Sequence, residues 1–585
     1  MCGIAGLWLK NGIPQDSVLN TMLAALSHRG PDGHGVHIEE GLALLHTRLA
    51  IIDVIGGHQP LFDDRGNCLV VNGEIYNFVE LRTQFKTYPY KTHSDCETIF
   101  PLYQNYGPDF VTHLRGMFAI SLFDKSTKTL YLARDPFGIK PLYYAILPQG
   151  FIYASEPQAI LASGLVSKEL HEGALSDLMH LRYTTSAETI YKGIYRILPG
   201  EMLVIQNGKI IDRSHQEALP KGPPQKMTYD EAFSTLDQIM RDSLKVHLRS
   251  DVPYGLFLSG GVDSSTLLAL MHEEVGSGIR TFTVGFPGTQ VHDERAMALR
   301  VSQKLGTHHK EISYSENDFW NETPQVIKAL DDPTLDFATL PTYHMSKVAA
   351  QDVKVVLCGE GGDEILSGYA RHRRARFFGR ILNIFMKKRG LMDRVPILKY
   401  DQSEWKTKRQ EDEKLAKLNH YSPLQQNQFL DTRNWLPDDL LIKTDRCLMA
   451  HGIEGRTPFL DKVVAQGVFN FPDDLKIQGK KTKWIMRKWL EKHLPESEPF
   501  AKKRGFTVPV GEWISTRGKT LGELVARQNV MNEYFLKDKI PALFKSSDKH
   551  QLATSWNLLS FALWYKIHFE DASAQGSIEE VLSSS

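Results

Sequence analysis

The sequence has no excess of charge of either sign. Its 69 lysines and arginines balance 69 aspartates and glutamates, so the formal net charge is +0. A basic field is the usual electrostatic signature of nucleic-acid binding, and its absence argues against a nucleic-acid partner. Cysteine is also scarce, with five residues in 585 and no CxxC pair. This scarcity excludes a disulfide framework and a common type of zinc site, and it predicts a cytoplasmic protein.

Long hydrophobic runs are missing as well. The most apolar stretch near the start, residues 42–55, is interrupted by His46, Arg48 and Asp53. No run approaches the ~18 apolar residues that span a bilayer, and no basic segment followed by an apolar one suggests a signal peptide. We therefore expect no membrane partner. At 585 residues the chain is too long for one ordinary core, so two or more domains are expected.

Apolar runs divide the chain into two parts. Short strands predicted in the first part are residues 4–9, 42–45, 69–72, 117–123, 130–133 and 142–145. A helix is predicted over residues 95–106, and such a mixture favours a layered sheet domain over residues 1–212. Residues 213–229 contain a cluster of prolines and glycine and are the predicted linker.

Strands alternate with helices in the second part. Strands are predicted at residues 254–258, 281–286 and 354–358, with helices at residues 264–274 and 293–305. This alternation predicts a doubly wound parallel sheet within a domain over residues 230–570, mainly helical beyond about residue 365. The fold class is thus α+β followed by α/β, and the small, polar residues 571–585 are expected to form a flexible tail.

Cys2 is the most informative single residue. A small side chain after the initiator methionine permits removal of that methionine, which would leave a cysteine with a free α-amine. The thiol can then attack an acyl carbon, and the amine, with a pKa of roughly 7.7–8.0, can carry the proton. Alone, a cysteine at position 2 is more often an accident of the terminus. Three clusters reverse those odds, at residues 28–32, 46–49 and 71–77, and a fourth at residues 93–97 opens the helix.

In this order, these motifs resemble the class II glutamine amidotransferase domain, an N-terminal nucleophile fold. The resemblance implies that Cys2 is the nucleophile and that Asn72 and Gly73 donate to the oxyanion. It assigns the α-carboxylate of glutamine to Arg48 and its α-ammonium to Asp95, with Glu74 nearby. The remaining residues implied to line the glutamine site are Leu49, Ile51 and Ile52. Singly, the motifs have ordinary explanations: a hairpin turn at residues 72–73, a surface ion pair for the arginine and a helix cap for the aspartate.

A second motif, SGGVDSS at residues 259–265, lies between a predicted strand and a predicted helix. Its glycines allow a tight turn close to an anion, and the backbone N–H groups, the serine hydroxyls and the helix N-terminus can bind phosphates. It has neither the Walker spacing nor GxGxxG. The string resembles the pyrophosphate loop of ATP pyrophosphatases, which split ATP between its α and β phosphates.

CGEGGDE at residues 358–364 follows the next predicted strand and should reach the same carboxyl edge of the sheet. Asp263 and Asp363 are then the predicted Mg²⁺ ligands, because Mg²⁺ takes one or two carboxylates with phosphate oxygens. Glu360 is a candidate base toward ammonia. Lys483, in a lysine-rich stretch, is assigned largely by resemblance to offset charge on the phosphate. The predicted ATP contacts are Phe257, Leu258, Ser259, Gly260, Gly261, Asp263, Ser264, Ser265, Val284, Cys358 and Gly359.

Together the two halves, about residues 1–570, resemble the glutamine-hydrolysing asparagine synthetases. The resemblance implies that aspartate reacts with ATP to give β-aspartyl-AMP and pyrophosphate. Ammonia released from glutamine at Cys2 would then give asparagine, AMP and glutamate. We expect an apolar route for ammonia through the domain interface, since ammonia in water is protonated and diluted. The implied partners are glutamine, aspartate and ATP with Mg²⁺, and a homodimer is possible.

The acceptor acid is the most open of these assignments. Better-known members carry an arginine within the segment that corresponds to residues 331–343, and this chain has none there. One alternative is therefore a relative that amidates another carboxylate, such as a cell-wall or polysaccharide precursor. An RNA-modifying enzyme and a non-catalytic interaction protein are weaker alternatives. Arg456 matches a family motif but has a structural explanation, and the basic run at residues 371–376 is more typical of a solvated helix face.

Overall fold

The first part of the chain folds as two facing antiparallel sheets. The computed structural model describes residues 2–291, 293–385, 389–502 and 507–584. The strands here are β1 (Gly3–Leu9), β2 (Gly33–Glu39), β3 (Leu42–Arg48), β4 (Leu61–Phe62), β5 (Cys68–Ile75), β6 (Gly116–Asp124), β7 (Thr129–Arg134), β8 (Tyr143–Leu147), β9 (Gly150–Ala154), β10 (Tyr195–Arg196), β11 (Glu201–Gln206) and β12 (Lys209–His215). One sheet has the order β10-β8-β9-β1-β3-β2 and the other β12-β11-β7-β6-β5-β4.

Helices cover these sheets, so that β1 is buried on both faces. They are α1 (Asp16–Leu26), α2 (Phe78–Gln84), α3 (Ile99–Tyr106), α4 (Pro157–Ala162) and α5 (Glu172–Leu181), with 3₁₀ turns at Cys96–Thr98 and Gly107–His113. Ile4 and Trp8 of β1 pack in the cluster between the sheets, whereas Ala5 and Leu7 pack with the helical side. Because side chains alternate along a strand, these two apolar sets fix its register, and the residue that precedes β1 comes to lie beside β5.

The second part is built on a parallel sheet with the order β15-β14-β13-β16-β17. Its strands are β13 (Tyr254–Phe257), β14 (Arg280–Gly285), β15 (His308–Ser313), β16 (Val355–Leu357) and β17 (Glu454–Arg456), and a small separate pair is formed by β18 (Ile477–Gln478) and β19 (Lys481–Thr482). In the central pair, Leu256 lies opposite Leu357, so β13 and β16 end side by side. The predicted mixed fold class, layered antiparallel sheets followed by a parallel sheet with helices, is confirmed.

The helices of the second part surround this sheet and extend well beyond it. They are α6 (Tyr229–His247), α7 (Val262–Val275), α8 (Arg295–Lys304), α9 (Glu316–Ala329), α10 (Thr339–Ala349), α11 (Gly362–Ile365), α12 (Ala370–Phe385), α13 (Trp405–Leu418), α14 (Pro423–Leu430), α15 (Ile442–Met449), α16 (Lys462–Phe469), α17 (Asp473–Lys476), α18 (Trp484–His493), α19 (Val510–Thr516), α20 (Gly518–Arg527), α21 (Asn529–Tyr534), α22 (Ile540–Leu543), α23 (Lys549–His568) and α24 (Ile578–Ser583). A π-helix, Asp431–Leu441, joins α14 to α15, and 3₁₀ turns lie at Pro458–Leu460, Pro495–Ser497 and Lys537–Lys539. None of the described helices combines the length and the apolar composition needed to cross a bilayer.

Two segments differ from the sequence-based expectation. The expected linker of residues 213–229 is shorter at both ends, because β12 runs to His215 and α6 begins at Tyr229 with a capping box between Thr228 and Glu231. The expected flexible tail of residues 571–585 contains α24. The side chains of Ile578, Val581 and Leu582 on this helix are buried, and this apolar face is the reason why the segment packs.

Candidate active site

Cys2 lies immediately before β1, where it is only 8% exposed. Its Sγ is 3.9 Å from the carbonyl oxygen of Leu49, and its backbone nitrogen donates to Asn72 Oδ1 at 3.2 Å. The Nε of Arg29 donates to the Cys2 carbonyl at 3.1 Å, which fixes the backbone on the other side. Burial raises the pKa of the Cys2 thiol. The thiol therefore needs an adjacent base to become a nucleophile.

Asn72 and Gly73 lie on β5, next to Cys2. With its oxygen engaged by Cys2, Asn72 keeps a buried Nδ2 that bonds to no described residue. A buried amide N–H group without a partner is rare in folded proteins, so this one is available to a ligand. Gly73 pairs with β6, and a Cβ at this position would lie 2.1 Å from the carbonyl oxygen of Met117. Only glycine fits there, so the backbone of β5 can approach β6 closely at this position.

Two further residues predicted to bind glutamine are held in fixed positions. Arg48 ends β3 and donates to the carbonyl oxygens of Asp53 and Val54 at 2.6 and 2.9 Å. Asp95 precedes the 3₁₀ turn Cys96–Thr98, and its Oδ2 accepts from the backbone nitrogen of Ile75 at 2.6 Å. Burial raises the pKa of Asp95 to about 6. Its carboxyl is thus costly to ionise until a cation such as an α-ammonium approaches.

The other predicted glutamine-site residues face the second domain. Glu74 forms an ion pair with Arg456 at 3.1 Å, and its pKa is raised by burial and by the neighbouring carboxylate of Glu454. The apolar side chains at this place form one small cluster across the interface, made of Leu49, Ile51, Val355 and Met449, with Ile52 packed against it. Ile51 and Ile52 thus line the domain interface as much as the pocket around Cys2.

The SGGVDSS loop connects β13 to α7. Gly260 has φ +70, and a Cβ there would lie 2.8 Å from Met297 Cγ and 2.9 Å from the Ala298 nitrogen on α8. The Ser264 Oγ accepts from the Ser259 backbone nitrogen at 3.2 Å, which closes the loop. No side chain caps the N-terminus of α7, and the buried Ser265 Oγ bonds to no described residue. Unused donors at a helix N-terminus are suited to an anion.

The second loop brings its aspartate to the first. Lys483 Nζ lies 2.5 Å from Asp263 Oδ2 and 2.6 Å from Asp363 Oδ1, and the lysine is 1% exposed. Burial acts to lower the pKa of Lys483, but the two carboxylates outweigh it and raise that pKa. A Cβ at Gly362 would lie 2.6 Å from Asp263 Oδ1, and one at Gly368 would lie 1.6 Å from Asp363 Oδ1. Glycines therefore make the close approach of the two loops possible.

This carboxylate pair also fits a magnesium ion. Asp263 and Asp363 come from different loops yet converge on one ammonium. Two carboxylates that face one point, beside unused phosphate donors, are the protein part of the oxygen set that Mg²⁺ takes with a nucleotide. The structure thus brings together the predicted pair and the lysine that was assigned mainly by resemblance.

The remaining predicted residues lie around these loops. Glu360 Oε1 accepts from Thr444 Oγ1 at 3.3 Å. The Cys358 nitrogen donates to the Arg456 carbonyl at 2.8 Å. Burial raises the pKa of the Cys358 thiol, so the thiol stays protonated. The backbone at this position therefore remains the candidate contact for ATP. The side chains that end the adjoining strands β13 and β14 include those of Phe257 and Val284. Leu258 is buried and donates its N–H to the carbonyl of Phe282 at 2.8 Å.

The domain interface is more charged than the sequence led us to expect. Arg29 pairs with Asp445 of the second domain at 2.7 Å and with Glu156 at 2.6 Å. Asp331 and Asp332, each buried, pair with Arg446 and Arg196 respectively, at 2.8 and 2.7 Å. Apolar side chains also cross the interface, in the small cluster around Leu49 and in two larger clusters that contain residues of both domains. The expected apolar route for ammonia stays a prediction. The only sequence signal for these pairs was the charged turn at residues 28–32.

Arg456 and the basic run have clear partners. Arg456 pairs with Glu454 at 2.7 Å and donates to two backbone carbonyls at the end of α6, which supports the structural explanation. In the run at residues 371–376, Arg371 and His372 both bond to Asp431, at 2.9 and 2.7 Å. That helix face is therefore partly paired and not simply solvated.

The first domain has a buried cysteine beside a free amide donor, and the second is a parallel sheet with two glycine-rich loops at one edge. A family model for a glutamine amidotransferase domain matches residues 1–216, and one for asparagine synthase matches residues 235–566. These matches define the class as glutamine-dependent ligases that use ATP.

Three named relatives show which ligases of this class the chain is similar to. Asparagine synthetase [glutamine-hydrolyzing] 1 of Bacillus subtilis strain 168 is 32% identical over 97% of both chains. Asparagine synthetase B of Escherichia coli K12 is 32% identical over 92% of this chain and 87% of its own. A putative asparagine synthetase of Mycobacterium tuberculosis H37Rv is 30% identical over 97% and 98%. The chain belongs to the glutamine-hydrolysing asparagine synthetase family.

Proposed function

We propose that this enzyme makes asparagine from aspartate, with nitrogen from glutamine and energy from the cleavage of ATP to AMP and pyrophosphate. The observation that carries the proposal is that one chain brings together two sets of candidate residues, one for each half-site. Cys2 and the free Asn72 amide form one, and the Asp263–Lys483–Asp363 cluster forms the other. Charged pairs buried between the domains hold the two in a fixed relation.

The first half-site would hydrolyse glutamine. Removal of the first methionine would give Cys2 an α-amine, which takes the thiol proton as sulfur attacks the side-chain amide carbon of glutamine. The resulting oxyanion would accept from Asn72 Nδ2 and the Gly73 N–H. Collapse of this intermediate expels ammonia, and water then releases glutamate from the thioester. Arg48 would bind the α-carboxylate, and Asp95 with Glu74 the α-ammonium.

The second half-site would activate aspartate. The β-carboxylate oxygen attacks the α-phosphorus of ATP, the bond to the β-phosphate breaks, and pyrophosphate leaves. The SGGVDSS loop would bind the phosphates, with adenosine against Phe257, Val284 and the backbone at residues 358–359. Mg²⁺, held by Asp263 and Asp363, would neutralise phosphate charge when bound. Lys483 would offset the remaining negative charge.

Transfer of ammonia would complete the reaction. Ammonia attacks the acyl carbon of β-aspartyl-AMP, Glu360 accepts a proton from the nitrogen, and AMP leaves. The apolar cluster of Leu49, Ile51, Val355 and Met449 lies between β3 and β16 and supports a dry passage from Cys2 to Glu360. All five cysteines are unbridged, which supports a cytoplasmic location as part of the same proposal.

The test uses purified full-length protein with glutamine, aspartate, ATP and Mg²⁺. We expect asparagine, AMP, pyrophosphate and glutamate in equal amounts. Replacement of glutamine by ammonium chloride should bypass Cys2, so Cys2→Ala should lose glutamine-dependent synthesis and retain ammonia-dependent synthesis. Pyrophosphate release with another carboxylic acid, and no asparagine from aspartate, would replace the proposed acceptor by that acid.

A further inference from the structure

Arg182, in the first domain, reaches the segment of the second domain that lacks the expected arginine. It follows α5 and has φ +77 and ψ 7, a left-handed conformation that is uncommon for a residue other than glycine. Its carbonyl accepts from the Leu335 nitrogen at 2.7 Å, and its guanidinium lies over the Phe337 ring, 4.5 Å from the centroid. The fold therefore supplies residues 331–343 with a guanidinium from outside that segment.

The guanidinium of Arg182 has unused hydrogen-bonding capacity. It forms no ion pair or hydrogen bond with any residue that the structure describes, although a guanidinium carries five N–H donors. Arg29, Arg196 and Arg446, the buried arginines of the same interface, each pair with a carboxylate. Partial burial of an unpaired cation on a strained backbone is unfavourable, and such a combination is typical of binding sites.

The groups beside Arg182 lead toward Glu360. Asp336 lies between Leu335 and Phe337, which both contact Arg182, and its Oδ2 pairs with Lys443 Nζ at 3.0 Å. The next residue, Thr444, donates to Glu360 at 3.3 Å. Arg182, Asp336 and Glu360 are each only partly buried, so they face accessible space. Arg182 and Lys443 are two cations, and the carboxylate of Asp336 lies between them. Such a set is complementary to a zwitterion that carries a carboxylate and an ammonium group.

We infer that Arg182 binds a carboxylate of the acceptor acid, so that the amidotransferase domain supplies part of the acceptor pocket of the synthetase domain. The inference rests on the proposed function in one respect, that an acid is adenylated beside Glu360. For aspartate, the bound group is the α-carboxylate, because the β-carboxylate must stay free to attack ATP. Asp336 is then placed for the α-ammonium. The acceptor class is an α-amino acid or a larger acid that presents the same pair of groups.

A purely structural alternative is that Arg182 balances the charges of Asp336 and Asp439. That role predicts a loss of folding stability and of every activity together. Acceptor binding predicts a selective rise in the KM of the acceptor, with the KM of ATP and the glutaminase rate unchanged. A comparison of KM with kcat therefore distinguishes the structural role of Arg182 from acceptor binding.

The experiment compares Arg182→Gly, Arg182→Lys and Arg213→Ala in the full-length protein, with ammonium chloride as nitrogen source and pyrophosphate release as readout. Arg182→Gly removes the guanidinium at a position where φ +77 suits glycine, so it is the variant least apt to disturb the fold. Arg213 is the matched control: it lies in the same domain over the Tyr144 ring at 5.7 Å, and it pairs with Glu201. The glutaminase rate and the thermal midpoint report on folding.

We expect Arg182→Gly to raise the KM of aspartate about 10- to 100-fold, as for a lost charge-assisted hydrogen bond, with a smaller change in kcat. Arg182→Lys should fall between this variant and the wild type, because it keeps the charge and loses the fork. Arg213→Ala should match the wild type. An unchanged KM in Arg182→Gly overturns the inference, as does an equal loss of glutaminase activity and stability.

Failure of the proposed function gives a different result. In that case the wild type releases no pyrophosphate with aspartate, and a panel of carboxylic acids identifies the acceptor. The same KM comparison, repeated with that acid, supports the inference if the value rises in Arg182→Gly. It overturns the inference if the value stays unchanged. Should no acid in the panel release pyrophosphate in the wild type, the premise of adenylation beside Glu360 is wrong and the inference falls with it.

Discussion

At the scale of single residues, Asn72 shows how one side chain serves two purposes. Its oxygen accepts from the Cys2 nitrogen at 3.2 Å, and its buried Nδ2 has no described partner. The sequence predicted the residue through its motif. It could not show which end of the amide is free, because that depends on the approach of two strands 70 residues apart.

Asn72→Ala removes the free donor and should lower the glutaminase rate about 10²- to 10³-fold, because the oxyanion loses one of its two hydrogen bonds. Ammonia-dependent asparagine synthesis should stay near the wild-type level. Glutamate release and pyrophosphate release measure the two activities separately. Asn67→Ala is the matched control, since Asn67 bonds to Asp63 on the same strand pair and lies away from Cys2. An equal loss of both activities in Asn72→Ala would contradict the assignment.

Asp95 gives a prediction for pH. Burial raises its pKa from 3.8 to about 6, so the folded protein takes up a proton on Asp95 between these values while the unfolded chain does not. In the folded protein without ligand, the ionised carboxyl is therefore disfavoured, and it contributes a destabilisation that is present above pH 6 and absent below pH 3.8. For binding, the sign is reversed, because the α-ammonium of glutamine needs the ionised form.

The KM of glutamine should accordingly rise as pH falls through about 6, approaching tenfold per pH unit. The measurement is glutaminase KM from pH 5 to 8. In Asp95→Asn the value should be high and independent of pH in this range. If the wild-type KM stays constant down to pH 5, or if Asp95→Asn shows the same pH dependence as the wild type, Asp95 is not the group that controls glutamine binding.

At the scale of elements, the strands that were predicted followed the hydrophobic pattern closely, but six of the twelve described strands in the first part, β2, β4 and β9 to β12, were not predicted. The sequence predicted strands at 254–258 and 281–286, and the structure has them at Tyr254–Phe257 and Arg280–Gly285. Short apolar runs bounded by glycine carry enough information for this. Helix α24 was not predicted from the sequence, because only three buried side chains in a polar segment signal that helix. The π-helix Asp431–Leu441 was missed too, since no local pattern distinguishes it from an α-helix.

The phosphate loop yields a prediction about one glycine. Gly260→Ala places a Cβ against α8, 2.8 Å from Met297 Cγ, in a left-handed conformation that costs roughly 1–3 kcal/mol for alanine. The loop should shift, and the kcat/KM for ATP should fall at least tenfold while the glutaminase rate is kept.

Gly306→Ala provides the control for this substitution. Gly306 follows α8, has φ +61, and would place its Cβ at an ordinary 3.5 Å from Ser277. This variant should lose a similar amount of stability from the backbone, measured by the thermal midpoint, but keep the wild-type kcat/KM for ATP. A similar loss of ATP use in both variants would mean that stability, not loop shape, governs the effect.

At the scale of the whole molecule, the interface between domains was the least predictable part. Most residues of the two half-sites lie in short motifs that the sequence shows, whereas Lys483, 220 residues from Asp263, was assigned mainly by resemblance. The contacts that join them link Arg29 to Asp445 and Arg182 to Phe337, across 416 residues in the first case. Such pairs depend on how two finished domains dock. A single sequence therefore gave little signal for the buried ion pairs of this interface, which accompany apolar clusters shared by both domains.

The buried pair of Arg29 and Asp445 tests whether this docking couples the half-sites. Both side chains are almost inaccessible, and they belong to one buried network in which Arg29 also pairs with Glu156 and Asp445 also pairs with Arg446. Removal of one side chain therefore leaves this network with an uncompensated buried charge, at a cost of about 3–5 kcal/mol. Arg29→Met and Asp445→Leu should each lower the thermal midpoint. They should also reduce glutamine-dependent synthesis more than ammonia-dependent synthesis, because Arg29 also holds the Cys2 carbonyl.

The double variant should be less damaged than the sum of the single variants, since the buried network then loses one charge of each sign. Glu80→Gln is the control: it removes one partner of a more exposed interdomain pair, with Arg249 at 2.7 Å, and such pairs contribute about 0–1 kcal/mol. If the effects of Arg29→Met and Asp445→Leu simply add, the two residues do not act as a pair. If the ratio of glutamine-dependent to ammonia-dependent synthesis also stays at the wild-type value, the coupling of the two half-sites does not pass through this contact. It would then have to depend on the Glu74–Arg456 ion pair or on the apolar cluster beside it.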